Sequence, residues 1–91
     1  MGNLLKAEEF YLKSLKIRQN LFGENHSDVA LSYNNLSLFY SQSIKKPSVS
    51  LNYAKKSYEI ILGLLGKSHP KTVQYFKSYN NILVSYKSHP K

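Results

Sequence analysis

Residues 21–27 read Leu-Phe-Gly-Glu-Asn-His-Ser, and residues 64–70 read Leu-Leu-Gly-Lys-Ser-His-Pro, so a leucine, a glycine and a histidine recur with a shift of 43 residues. Upstream of them, Ser14-Leu15-Lys16-Ile17 aligns at the same shift with Ser57-Tyr58-Glu59-Ile60. Several residue types that recur together at one shift indicate an internal repeat. The sequence therefore predicts that one structural unit occurs more than once along the chain.

The segments between these landmarks have apolar residues at spacings of three and four, which is the period of an amphipathic helix and not that of a strand. The predicted helices cover residues 4–21, 27–42, 48–64 and 70–87. The predicted fold class is all-α, with antiparallel helix pairs joined by short links. The residues expected to face the interior are Leu4, Ala7, Tyr11, Ser14, Leu15 and Leu21; Val29, Tyr33, Leu36 and Tyr40; Leu51, Ala54, Tyr58, Ile61 and Leu65; and Val73, Phe76, Leu83 and Tyr86.

Glycine and proline mark the ends of the predicted helices. Gly23 and Gly66 follow apolar-rich segments, where a left-handed residue ends a helix without steric cost. Pro47 and Pro70 stand where a first helical residue is expected, because the amide hydrogen that proline lacks would be unbonded there. The predicted units are a partial repeat at 1–22, a full repeat at 23–65 and a partial repeat at 66–91. Because each repeat relies on its neighbours, we expect either a piece of a longer array or a whole protein with two unusual ends. Exposed array ends would allow an isolated piece to self-associate.

The charge is large and unevenly placed. The 91 residues include 13 basic and 5 acidic ones, for a net charge of +8. The excess lies in residues 36–91, which carry nine lysines against Glu59 alone. An acidic partner is therefore favoured, and a basic helical nucleic-acid-binding module is the alternative interpretation. That alternative needs basic side chains clustered on one face, whereas the chain has a single arginine and scattered lysines.

No pattern in the sequence indicates catalysis or a cofactor. Phosphate-binding loops and nucleophile elbows are absent, so we do not expect an enzyme. Without cysteine the chain has no disulfide or thiolate metal site, which fits a reducing compartment and leads us to expect a cytoplasmic location. No apolar run approaches the ~20 residues that span a bilayer. His26 and His69 recur once per repeat before a helix, which predicts a capping role; together with His89 they do not form a zinc cluster.

Residues 7–40 carry a longer pattern. It consists of Ala7, Tyr11, Ser14, Leu15, Ile17 and Arg18, then the run 21–30, then Tyr33-Asn34-Asn35-Leu36-Ser37-Leu38-Phe39-Tyr40. This pattern resembles the kinesin light chain type of tetratricopeptide repeat. The resemblance implies an α-solenoid whose first-type helices line a concave groove that accepts a peptide of a partner. The predicted function is accordingly that of a protein–protein interaction scaffold.

The second half departs from that pattern. Ala54 stands in place of an aromatic residue, and residues 41–49 contain an extra residue and Pro47 where a Gly-Lys-Tyr turn is usual. In the last helix, Asn80-Asn81 fits a shift of 46 and not 43, so its register stays open by about one turn.

Asn34 and Asn35 are the first candidates for peptide binding, because an amide both donates and accepts hydrogen bonds. By the resemblance, Asn35 occupies a position that contacts ligand; alternatively, the two amides only tie adjacent helices together. Ser78 or Asn81 is the matching position in the last helix, depending on the register. Lys77 is predicted to lie near the groove and to attract an acidic peptide, with an ordinary solvated lysine as the alternative.

Overall fold

The chain adopts an all-α fold in a computed structural model that describes residues 2–88. Its α-helices are α1 (Gly2–Phe22), α2 (Ser27–Phe39), α3 (Pro47–Leu65) and α4 (Pro70–Ser88). A π-helical turn, Tyr40–Ile44, extends α2. Each helix packs against the next one in the chain, and the described residues contain no strand. The predicted fold class is confirmed, and so are the four predicted helices.

The two glycines end their helices as predicted. Gly23 has a φ of 81° and Gly66 a φ of 87°, in the left-handed region that a residue with a Cβ adopts at a steric cost. Their amides donate to the carbonyls of Gln19 and Leu62 at 2.9 and 3.0 Å, which continues the helical bonding into the turn. At the other ends, Pro70 is the first residue of α4 and Pro47 the first of α3.

The predicted capping role of the histidines is confirmed for His26 and His69. The Nδ1 atom of His26 accepts from the Asp28 amide at 3.0 Å, and that of His69 accepts from the Lys71 amide at 3.0 Å. Each bond satisfies one of the amides that a helix start leaves without a partner. His89 lies outside the described residues. Within residues 2–88 no group of three metal-binding side chains comes together.

The core is centred on α2, which lies between α1 and α3. The predicted interior residues of α2 are buried, and Ser37 and Ser50 let α2 and α3 approach closely enough for the Ser50 Oγ to donate to the Ser37 carbonyl at 2.6 Å. The prediction was wrong for Leu4, Leu21 and Leu65, which are exposed. All three lie in the first or the last turn of α1 or α3.

The prediction for α4 chose the wrong face. Val73 and Phe76 are exposed, and so is Tyr86, whereas Thr72 and Tyr75 are the buried residues. The helix starts 43 residues after α2, so the shift of 43 holds for its register. Because α4 packs mainly on α3, only one of its faces is covered. None of the helices in the described part of the chain is long and apolar enough to cross a membrane.

Candidate functional site

A groove of about 590 Å³ lies between α2 and α4, the helices on either side of α3. Its floor and walls come from the end of α2, the π-helical turn, the start of α3 and one face of α4. The lining residues are Leu38, Ser41, Gln42, Lys45, Pro47, Ser78, Asn81, Ile82, Ser85 and Tyr86.

One stripe of α4 supplies half of this lining. Its members follow each other at steps of three, one, three and one, which places them on the same side of a helix: Ser78, Asn81, Ile82, Ser85 and Tyr86. Steps of three and four lead from Asn35 to Leu38 on α2 and to Gln42 in the π-helical turn. Under the shift of 43, Asn35, Leu38 and Gln42 correspond to Ser78, Asn81 and Ser85. The groove is thus bordered by equivalent faces of two equivalent helices.

The π-helical turn shapes the end of the groove. A π turn holds more residues than an α turn, and it accommodates the extra residue that the sequence has in this segment. Lys45 follows it with φ 65° and ψ 51°, and the Lys46 amide then donates to the Tyr40 carbonyl at 2.7 Å. This tight closure brings Lys45 to the rim. Lys45 is the one charged residue among the described residues that line the groove.

Ser78 and Asn81, two of the predicted peptide-binding residues, line the groove. The Ser78 Oγ faces the Asn34 Oδ1 at 3.4 Å, which is long for a hydroxyl hydrogen bond but links α4 to α2. Asn34 therefore takes part in the contact between helices. Asn35 is half-buried on α2 and does not line the groove, and Lys77 is exposed on α4 outside it.

Sequence reasoning missed several of the lining residues. For Leu38, Gln42, Ile82 and Ser85 a signal was available, because helical steps of three and four connect them to the asparagine and serine positions already chosen. For Lys45 no such signal existed. Its position depends on the width of the π turn and on its own left-handed backbone.

Tyrosines pack beneath this part of α2. Tyr53 of α3 stacks between Tyr33 and Tyr40, with ring centroids 5.7 and 5.8 Å away. Burial raises the pKa of Tyr33 to about 12, and the carboxylate of Glu24, which accepts from its hydroxyl at 2.6 Å, adds to the shift. Burial and Glu8 likewise raise the pKa of Tyr40 far above its ordinary value. Both phenols stay neutral at physiological pH, so they add no charge to that of Lys45.

The fold and the groove together define a helical repeat protein with a concave face. Residues 1–62 match the model of the tetratricopeptide repeat family. Because this match spans more than half of the chain, the chain belongs to the tetratricopeptide repeat family. A comparison with curated proteins gave no match, and a comparison with solved structures gave none either.

Proposed function

We propose that the chain is an interaction scaffold that holds a peptide segment of a partner protein in the groove between α2 and α4. The observation that carries this proposal is the composition of the groove, in which apolar side chains alternate with amides and hydroxyls around one cation. A catalytic site would need reactive groups in contact with each other, and the lining contains no carboxylate, histidine or cysteine. Members of the family act as protein-interaction modules, which supports the same conclusion.

The polar lining suits the backbone of an extended peptide. The amides of Gln42 and Asn81 each offer a donor and an acceptor, so each can bind a peptide carbonyl and a peptide amide. Leu38, Ile82 and Tyr86 provide apolar surface between these polar groups. A peptide that places an apolar side chain there while its backbone binds the amides would satisfy both kinds of lining.

The charge of the groove selects an acidic peptide. Lys45 stands at the rim without an acidic neighbour in the lining, and the whole chain carries +8. An aspartate, a glutamate or a terminal carboxylate of the ligand would pair with Lys45, with a modest gain because the lysine is exposed. Lys77 would contribute only at longer range, since it lies outside the lining.

The finer assignments are part of the same proposal. We assign the chain to the kinesin light chain type of repeat on the residues 7–40 quoted above, and divide it into a partial repeat 1–22, a full repeat 23–65 and a partial repeat 66–91. The turns at Gly23 and Gly66, whose φ angles are 81° and 87°, support that division. The lack of cysteine supports a cytoplasmic location.

The proposal can be tested by selecting ligands on the intact chain from a displayed library of random peptides. Peptides of about 12 residues are suitable, because they span roughly 40 Å when extended and the molecule measures 37 Å along its longest axis. We expect the selected peptides to combine an apolar residue with aspartate or glutamate. Their affinities are then measured by fluorescence anisotropy with a labelled peptide.

Variants of the groove decide where the selected peptides bind. Asn81→Ala and Lys45→Gly should each weaken binding about fivefold or more, and glycine at position 45 keeps the left-handed turn. Lys55→Ala is the control for lost charge, since Lys55 is exposed on α3 outside the groove. Asn35→Ala and Lys77→Ala test two of the three predicted residues that do not line the groove. Affinities that neither Asn81→Ala nor Lys45→Gly changes would contradict the proposal.

A further inference from the structure

Two apolar faces at opposite ends of the helix stack remain uncovered in this structure. Phe10 and Ile17 form the first of these faces, which we call the outer face of α1. The Phe10 side chain is 66% exposed. The outer face of α4 is formed by Val73 and Phe76; the Phe76 ring contacts Tyr58 of α3 at a centroid distance of 5.3 Å but remains 45% exposed. Exposed clusters of large apolar side chains mark surfaces that bind another protein.

The outer face of α1 is a copy of a face that is already packed inside the molecule. Under the shift of 43, Phe10 corresponds to Tyr53 and Ile17 corresponds to Ile60. On α3, Tyr53 stacks on Tyr33 of α2, and Ile60 is buried. The residues of α1 that are exposed thus occupy the positions through which α3 packs against α2.

The outer face of α4 corresponds in the same way to the face of α2 that packs against α3. Val73 corresponds to Ala30 and Phe76 to Tyr33. Ala30 and Tyr33 are buried, at 0% and 4% exposure, and Tyr33 stacks on Tyr53 of α3. The molecule therefore contains one complete α2–α3 interface and, at its two ends, the two separate halves of a second one.

We propose that a second copy of the chain joins these halves, with α1 of one copy packed on α4 of the next as α3 packs on α2. Phe10 then stacks on Phe76 of the neighbouring copy, as Tyr53 stacks on Tyr33. Lys13 corresponds to Lys56, whose Nζ lies 5.7 Å from the centre of the Tyr33 ring. It would reach the Phe76 ring in the same way and add a cation–π contact.

This assembly continues the internal architecture from one copy to the next. The helix types alternate within the chain, and α4 followed by a second α1 keeps the same alternation. Because the two joined faces differ, the contact is heterologous and leaves a free face at each end of the pair. Neither outer face includes a residue of the groove, so the association does not depend on peptide binding.

Sedimentation equilibrium of the intact chain over a concentration series tests the proposal. We expect the parent chain to form dimers and longer species as its concentration rises. Phe10→Asp should prevent binding through the outer face of α1, and Val73→Asp should prevent binding through the outer face of α4. Each variant alone should therefore have an association constant lowered by about tenfold or more. An equimolar mixture of the two variants should recover a dimer, because each supplies the face that the other lacks, and nothing larger.

Matched controls change the charge equally on the same helices. Leu12→Asp on α1 and Gln74→Asp on α4 alter exposed residues whose counterparts, Lys55 and Leu31, are also exposed. Both control variants should associate like the parent chain. Circular dichroism checks that all variants stay helical.

A second pair of variants keeps the test decisive if an aspartate at position 10 or 73 unfolds the chain. Ile17→Asp and Phe76→Asp must then give the same pattern as the first pair, alone and mixed. A parent chain that stays monomeric at the highest concentration would overturn the proposal and leave the two outer faces to a different protein. So would a mixture without dimers, or a single-face variant that associates by itself through a symmetric contact.

Discussion

At the residue scale, Thr72 differs from its counterpart in the first helix pair. Its side chain is 2% exposed, and its hydroxyl has no hydrogen-bond partner among the described residues. Under the shift of 43 the corresponding residue is Val29, which is fully buried. A methyl group suits this site better than a hydroxyl, because an unsatisfied buried hydroxyl is destabilising.

Thr72→Val should therefore raise the free energy of unfolding by about 1 kcal/mol, the usual cost of leaving such a group unsatisfied. Urea denaturation followed by circular dichroism measures the change. Val29→Thr is the reciprocal control and should lower the stability by a similar or larger amount. A less stable Thr72→Val variant would show that the hydroxyl has a partner, such as a buried water.

His26 offers a second test at this scale. Its Nδ1 caps α2 through the Asp28 amide, and its ring stacks on Phe22 with a centroid distance of 4.2 Å. Loss of an N-cap costs about 1 kcal/mol, so His26→Ala should lower the free energy of unfolding by at least that much. His26→Asn keeps a capping acceptor but loses the ring, so its stability should lie between those of the parent and the alanine variant. Equal stabilities of the alanine and asparagine variants would mean that the cap bond contributes nothing.

At the scale of the elements, Tyr33 ties α2 to α1 and to the turn between them. Its hydroxyl donates to Glu24 and accepts from Gln19 at 3.1 Å. Because the pKa of Tyr33 is raised from 10.0 to about 12 in the folded state, the fold favours the neutral phenol. The raised pKa of Tyr33 therefore adds to the free energy of unfolding. This added stability is fully present below pH 10 and is lost as the pH rises from 10 towards 12.

We therefore expect the free energy of unfolding to fall through this window, with Tyr33 contributing up to about 1.4 kcal/mol per pH unit. Tyr33→Phe should be less stable near pH 8, because Glu24 and Gln19 lose a partner, but its stability should fall less steeply above pH 10. Urea titrations at several pH values between 8 and 11.5 measure both curves. If the two curves stay parallel above pH 10, the titration of Tyr33 is not linked to folding.

The elements also show what could be read from the sequence. The interior face of α2 was predicted correctly, since a helix packed on two sides has its apolar stripe fully buried. The face of α4 was not, because α4 is covered mainly by α3: Val73 stays exposed, and Phe76 stays 45% exposed although its ring contacts Tyr58 of α3. The spacing of hydrophobic residues in the sequence shows which face of a helix is apolar, but it does not show whether a neighbouring helix covers that face.

The residues that line the groove could also be predicted only in part. Ser78 was reached through the shift of 43, because equivalent helices present equivalent positions to the same side. Asn81 was the alternative under a shift of 46, and it lines the groove because it lies one turn after Ser78 on the same face. Lys45 could not be found, since its location follows from the π-helical turn and a left-handed backbone at a non-glycine residue. Neither of these has a reliable local signature in sequence, and both depend on how α3 begins after the turn.

At the scale of the whole molecule, the two proposals place two kinds of contact on different surfaces. The groove is bordered by α2 and α4, while the outer faces of α1 and α4 lie at the ends of the stack. The proposed peptide contact would depend partly on charge, through Lys45, and the proposed contact between copies would depend on apolar burial, although each copy carries +8. Like charges oppose the assembly of copies, whereas the same charge attracts an acidic peptide.

Salt should therefore act on the two contacts in opposite directions. Between 0.1 and 1 M salt the screening length falls from about 10 to about 3 Å, which weakens attraction and repulsion between exposed charges alike. We expect the affinity for a selected acidic peptide to fall severalfold over this range, measured by anisotropy. The self-association constant, measured by sedimentation equilibrium, should rise over the same range because the repulsion is screened while apolar burial remains. Self-association that weakens with salt would mean that the copies are held together by ion pairs and not by Phe10 and Phe76.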